Sequence, residues 1–531
     1  MLVPNGCTVS QPHPYGQGSG GGSDRVWDEN CADGAELSVM RRAFLAAAIL
    51  GMALSSAGLQ STSDAVSKSN GADALLQSGK PEQAIPIYRA LAVAFPAELS
   101  FRVNLAIALY KAGRYRQTIE ECTALTKRQP DLLPAWLFLA ASHLKLGAAS
   151  AAEEPLRKAL TIQPNDPNAH VMLADVMLAT AHWTEAADQY EITEQLMPDS
   201  PRVLFGLDRS YEALADESLK RLEAVAPGSA EHLALSAELE FDRGQVAPAF
   251  QHCRQALALQ PSFREVHALV SSIYETTGHT DWAAVESAKA VRDSETCAAP
   301  SPECEFLAGR LREIASAKGE SPNTIYWQAR AFLDLSRQAF GRLQELPPSR
   351  ERYEAAAVAE EKRGKYPEAA AAWKKALQFE PSNAPLRRQL ALALCHSNDC
   401  VSALPLLKEQ LSREPSSAEM NYLYGLALTS TRNPAEALPY LETAVRLNGT
   451  FLPARAALGE AYLEAGRPQP AIPHLKASIV EDETGSRHYQ LAQAYQAAGM
   501  RVESSAVLRE YREIISRRRA EQPGEPNITP P

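Results

Sequence analysis

Four prolines recur at one interval: Pro96, Pro130, Pro164 and Pro198 stand 34 residues apart. Self-similarity at such a period means that each unit buries its apolar face on its neighbours, so the chain does not fold around one central core. Twelve residues before each proline stands a small residue, Ala84, Thr118, Ala152 or Ala186. Eight before each stands a larger one, Tyr88, Cys122, Leu156 or Tyr190. Seventeen before the first three is a glycine, Gly79, Gly113 or Gly147, with Ala181 in the fourth unit. The frame returns at Ala369, Ala403, Ala437 and Ala471, where Pro381 and Pro415 close the first two units and Gly449 and Glu483 replace proline in the others.

Each feature has a mechanical reason. Apolar residues at helical spacing on two segments predict a pair of amphipathic helices per unit. In 133–143, Trp136, Leu139, Ala140 and His143 share one helical side. Gly147 ends that helix, because glycine takes the left-handed cap conformation without strain. Ala140 and Ala152 are small enough for the two helices to approach closely, and Pro164 stops the second.

With Leu458, Gly459, Tyr462, Gly466 and Ala471, and with Tyr424 and Gly425 one unit earlier, the sequence resembles the tetratricopeptide repeat family. The resemblance implies an all-α fold, an α-solenoid (a right-handed superhelix) of tandem helix-turn-helix hairpins. It covers two arrays, 65–292 and 350–515, and weakens at 201–229, where a unit beginning with Leu204, Leu207 and Tyr211 is cut short near Pro227-Gly228. Residues 293–349 read as helix without the frame, either a divergent helix pair or a hinge. The 516–531 tail reads as disordered.

The family implies a concave groove, lined by the first helix of each hairpin, that takes peptides or partner helices. In that frame the groove positions are apolar near the amino end (Val103, Ile107, Tyr110, Leu137, Leu144, Val171 and Leu178) and acidic in the middle (Glu238, Glu265, Glu275, Glu351, Glu354 and Glu361). The expectation is an extended apolar segment or amphipathic helix in the first part and a basic partner surface in the second. The competing reading makes the glutamates a solvated face and the apolar residues packing between units. The positions where some relatives hold a terminal carboxylate carry Ser69, Asp73, Val103 and Ile107, which argues against that use.

Before the array, residues 1–39 are rich in Gly, Ser, Asp and Pro and read as a disordered leader or a misassigned start. Their Gly16-Gln17-Gly18-Ser19-Gly20-Gly21 has no strand before it and no helix after it, so it reads as linker rather than a dinucleotide loop. Met40-Arg41-Arg42, the apolar run 43–54 and Ser55-Ser56-Ala57 form the three parts of a secretory signal, with cleavage before Gly58. This predicts a periplasmic or secreted protein. An uncleaved signal would instead anchor it at the inner membrane, and a twin-arginine leader starting at Met1 is a further alternative. Export agrees with two close cysteine pairs, Cys395–Cys400 and Cys297–Cys304, that an oxidising compartment would bridge.

The formal net charge of -11 argues against nucleic acid, whose phosphates need Lys and Arg. Arg517-Arg518-Arg519 is too small a cluster to change that. His-Glu-x-x-His, Gly-Lys-Ser/Thr and Gly-x-Ser-x-Gly signatures are absent from the sequence, and its 11 histidines are scattered. No cofactor, metal or catalytic residue is expected. The sequence therefore predicts a non-catalytic scaffold that binds proteins or peptides. The alternatives are a membrane-tethered docking receptor, a cytosolic co-chaperone-like adaptor and, more remotely, an accessory subunit of an enzyme such as a glycosyltransferase.

Overall fold

The computed structural model describes residues 56–291, 301–431, 434–482, 484–521 and 528–531. Among these there are 26 α-helices and no strand. The fold is an α-solenoid of helical repeats, divided into two compact units, the first ending at Phe138 and the second starting at Leu139. The leader 1–39, residues 40–55 of the proposed signal, and Cys297 lie outside the described residues.

The first unit contains α1 (Ser56–Gln77), α2 (Pro81–Ala94), α3 (Leu99–Lys111), α4 (Tyr115–Arg128) and the start of α5 (Leu133–Lys145). Its turns show how the recurring glycine works. Gly79 and Gly113 sit at φ of 70° and 72°. That left-handed residue turns the next amide back, so Lys80 N–H donates to Leu75 O at 2.8 Å and Arg114 N–H to Leu109 O at 2.9 Å. Orphan carbonyls at the helix end are thereby satisfied. In the second unit the same bond forms at His182, donating to Met177 O, and at Asp399, donating to Leu394 O. There the left-handed residues are Ala181 and Asn398, at φ of 61° and 62°. Ala181 thus takes the glycine conformation as well as the glycine's place, against a steric cost of about 1 kcal/mol.

The recurring proline has a second role, invisible in the period alone. At five of these prolines the carbonyl meets a side-chain nitrogen of the residue six places on, inside the next unit's first helix, whereas Pro96 O accepts from Arg128 Nη1 at 2.8 Å. Trp136 Nε1 donates to Pro130 O at 2.8 Å, Arg387 Nε to Pro381 O at 2.7 Å, and Asn421 Nδ2 to Pro415 O at 2.9 Å. The His170 and His267 Nε2 atoms meet the Pro164 and Pro261 carbonyls at 2.8 and 2.9 Å. Trp, His, Arg and Asn look unrelated in sequence. They share one N–H donor at one height, which ties successive hairpins together.

The second unit continues with α6 (Ala149–Ile162), α7 (Pro167–Ala179), α8 (Trp183–Leu196) and a longer helix, α9 (Pro201–Val225). Next come two ordinary hairpins: α10 (Ala230–Asp242) with α11 (Val246–Leu259), and α12 (Arg264–Thr276) with α13 (Thr280–Ala290). Two short helices, α14 (Pro302–Leu307) and α15 (Leu311–Ala315), lead into α16 (Pro322–Glu345). The frame-less α16 is neither a hinge nor a pair of its own. It lies along α9 in the most extensive helix–helix contact of the unit. Leu204 and Leu343, 1% and 0% exposed, close a core with Ala355. Ser336 Oγ donates to Asp208 at 2.7 Å, across 128 residues of chain. The truncated unit at 201–229 is therefore the first helix of a discontinuous repeat whose second helix arrives after residue 321.

The donor rule supports this reading. Six residues after Pro198 stands Leu204, which has no N–H to give. Arg342 of α16 supplies it instead, donating to Pro198 O at 2.8 Å. The frame then resumes through α17 (Arg350–Lys362), α18 (Tyr366–Phe379), α19 (Ala384–His396), α20 (Cys400–Arg413), α21 (Ala418–Ser430) and α22 (Pro434–Leu447). It closes with α23 (Leu452–Glu464), α24 (Pro468–Ser478), α25 (Ser486–Ala497) and α26 (Arg501–Glu521). The last helix runs to Glu521, and the Tyr274 hydroxyl on α12 donates to Thr529 O.

Candidate interaction surface at the discontinuous repeat

The apolar groove positions near the amino end are largely used for packing. Val103, Leu137 and Val171 are 6%, 3% and 3% exposed. Ile107 packs on the cores of the first unit, and Tyr110 meets Tyr115 and Phe138 edge-on at 5.5 and 5.4 Å. Leu144 and Leu178 are half-buried. Within each unit, these side chains are buried or half-buried against neighbouring helices.

The acidic positions are mostly engaged by this chain's own cations. Glu238, on α10, faces two arginines of α16: Arg330 at 3.4 Å and Arg337 at 3.0 Å. Arg337 also reaches Asp242 at 2.7 Å. The guanidinium of Arg330 lies over Phe306, Trp327 and Tyr326, at 5.1, 5.6 and 6.0 Å from the ring centroids. Tyr326 packs edge-on against Phe263 at 5.3 Å, at the entry to α12. Further along α16, Arg342 pairs with Glu194 of α8, which also receives Arg312 at 2.6 Å. An amphipathic, arginine-bearing helix thus covers the acidic face of α10. That is the kind of partner expected from outside, and the chain supplies it itself.

On α17, Glu351 and Glu354 both pair with Arg350, at 2.8 and 3.5 Å, and Arg350 extends to Glu380 at 3.1 Å. Glu361 accepts from Trp373 Nε1 at 2.8 Å, and burial raises its pKa. Glu265 is half-buried, and only Glu275 stands exposed among the six. The α16 arginines were missed in the sequence because they lie outside the 34-residue frame. Their signal was the seven-residue spacing of Arg330 and Arg337, which puts both on one side of a helix.

Two buried carboxyls mark the junction of α9, α16 and α17. Burial, with Glu212 adding repulsion, pushes Asp208 up to about 7, and burial pushes Glu354 up to about 7 against the pull of Arg350. Both values lie above the usual unfolded range, so the folded state holds the extra protons between about pH 4 and 7. Stability is then expected to fall as pH rises through that window. Asp208→Asn should flatten the fall and, at pH 8, leave the protein as stable or about 1–2 kcal/mol more stable. Urea titrations at pH 5 and pH 8 measure this; an equal pH slope in both proteins would contradict it.

The expected Cys395–Cys400 bridge is not formed. Both are unbridged thiols, and the Cys400 Sγ points at the Cys395 carbonyl at 3.8 Å. The turn through Asn398 completes its helix cap without a covalent link. Burial and the neighbouring Cys400 push the Cys395 thiol up, which keeps it protonated and unreactive. Cys122 and Cys253 are fully buried repeat-core residues, as their place in the frame implies. The Cys297–Cys304 pairing lies outside the described residues, because Cys297 does. Among the described residues no helix is long and apolar enough to cross a membrane.

The tetratricopeptide repeat family model matches residues 70–131, 103–167 and 388–450, and a second model of the same repeat matches 428–494. No curated protein matches the chain. Among solved structures it is similar to MamA, at 22% identity over 33% of this chain and 95% of that one, with a TM-score of 0.28. It is similar to YrrB, described as a TPR protein with an unusual peptide-binding site, at 22% identity over 31% and 84% of the two chains and a TM-score of 0.26. A tetratricopeptide repeat protein from Parabacteroides merdae ATCC 43184 covers more of it, 63% of this chain and 99% of that one, at 13% identity and a TM-score of 0.31. Repeat frame, hairpin turns and family models agree: the chain is a tetratricopeptide repeat protein.

Proposed function

We propose that this protein is a non-catalytic scaffold that binds protein segments on the faces of its repeat helices, after export from a bacterial cytoplasm by residues 40–57. The observation that carries the binding reading is α16 itself. The array face formed by α9 and α10 holds an amphipathic helix through a leucine core and through Glu238 and Asp242 on Arg330 and Arg337. Array surfaces built alike would hold a partner helix in trans by the same chemistry. The shifted carboxyls Asp208 and Glu354 are engaged by Ser336 and Arg350 inside helix packing, which favours a structural role over acid–base catalysis.

With Glu238, Glu351 and Glu354 occupied internally and Glu265 half-buried in the field of Arg330, a basic partner is left with the exposed Glu275 of α12. The test is cross-linking in native cells, comparing the wild type with Glu275→Lys, after equal thermal midpoints have been checked. Loss of a specific partner is the expected result. An unchanged partner set would remove the acidic-face reading, and the absence of any specific cross-linked partner would remove the scaffold reading. For export, the mature mass is expected to begin at Gly58; a mass including Met40 would leave the tethered or cytosolic alternative.

A further inference from the structure

Tyr274 breaks a pattern kept elsewhere. Thirteen residues after the unit-closing position, Tyr211 and Tyr462 occupy the same place in their repeats. Each donates its hydroxyl to a glutamate twenty residues upstream, on the preceding helix: Tyr211 to Glu191 and Tyr462 to Glu442, both at 2.6 Å. In Tyr274's repeat the residue twenty upstream is Arg254, which can only donate. The Tyr274 hydroxyl instead donates to the backbone carbonyl of Thr529 at 2.7 Å, 255 residues away.

The surroundings of that bond are aromatic. The Tyr274 ring packs edge-on against Trp282 at 5.6 Å and tilted against Phe250 at 5.7 Å. His279 stacks on Trp282 at 4.4 Å with 15° between the rings. An aromatic cluster whose hydroxyl donates outward complements a short segment that presents a backbone carbonyl beside an apolar side chain. Ile528 and Thr529 are half-buried here, while Pro530 and Pro531 are exposed.

We propose that Tyr274, Trp282 and His279 form a docking site for extended Ile-Thr-Pro-Pro-type segments, and that the chain's own Ile528–Pro531 occupies it in cis. A partner segment of the same chemistry must then displace the tail. This regulatory step rests on the scaffold reading and adds a specific site to it.

The test uses a fluorescein-labelled, amidated peptide, Glu-Pro-Asn-Ile-Thr-Pro-Pro, titrated by anisotropy into three full-length proteins. These are the wild type, a tail variant (Ile528→Ser, Thr529→Gly, Pro530→Ser and Pro531→Gly) and that variant with Tyr274→Phe. The tail variant is expected to bind at least about tenfold more tightly than the wild type, because the competing segment is gone. Tyr274→Phe should weaken that binding about tenfold, the worth of one hydrogen bond, at an unchanged thermal midpoint. No binding to the tail variant, or equal binding to all three, would overturn the site. A wild-type dimer in sedimentation that is lost in the tail variant would place the segment in a second copy and overturn cis occupancy. Partners still cross-linked through Glu275 in the face of either result would leave the scaffold reading standing, and their absence would remove it separately.

Discussion

Replacing Arg330 with alanine is expected to destabilise the second unit by about 3 kcal/mol. Arg330 and Arg337 both pair with Glu238, at 3.4 and 3.0 Å, in a site only 9% exposed. It also lies over Phe306, Trp327 and Tyr326, so truncation removes both an ion pair and cation–π contacts. Arg337 remains near Glu238 and limits the loss. The double variant Arg330→Ala with Glu238→Gln should be less destabilised than the sum of the singles, since no unpaired buried charge is left. Thermal and urea midpoints of the four proteins measure this. Strict additivity would mean that the two side chains do not act on each other.

The second effect lies at Gly206, on α9. A methyl group there would stand 2.2 Å from Cζ and 2.4 Å from Cε1 of Tyr190. That ring is fully buried and anchored, its hydroxyl donating to Asp175 at 2.5 Å. It has nowhere to move, so Gly206→Ala should cost about 2–3 kcal/mol although alanine is the better helix former by about 1 kcal/mol. Gly341 on α16 is the control: a Cβ there meets nothing within 4 Å, and Gly341→Ala should be neutral or stabilising. If both substitutions stabilise to the same extent, the close approach of α8 and α9 is not as described.

Much of the fold was legible in the sequence because repeat packing is local. Each small residue, glycine and proline of the frame acts within its own hairpin or the next, so period and role appear together. Ala181 kept even the left-handed conformation of the glycine it replaces. The discontinuous repeat escaped because its two helices, α9 and α16, are separated by 96 residues, 226–321. No periodicity links Leu204 with Leu343 or Asp208 with Ser336. The candidate site was legible in its chemistry but not in its occupancy: the acidic face was visible, while the basic helix that meets it lay outside the frame. The apolar groove positions are hard to read for a different reason. Apolar residues at groove positions and at packing positions share one helical spacing, and burial alone separates them.

Native-state hydrogen exchange over residues 322–345 tests most directly whether α16 is the missing half of the discontinuous repeat. The amides of α16 are expected to be protected as strongly as those of α9 and α17, and to open together with them, because all three share the core of Leu204, Leu343 and Ala355. Exchange of 322–345 orders of magnitude faster than the flanking repeats would contradict this. It would make the segment a hinge between two arrays and return the acidic face of α10 to partners from outside.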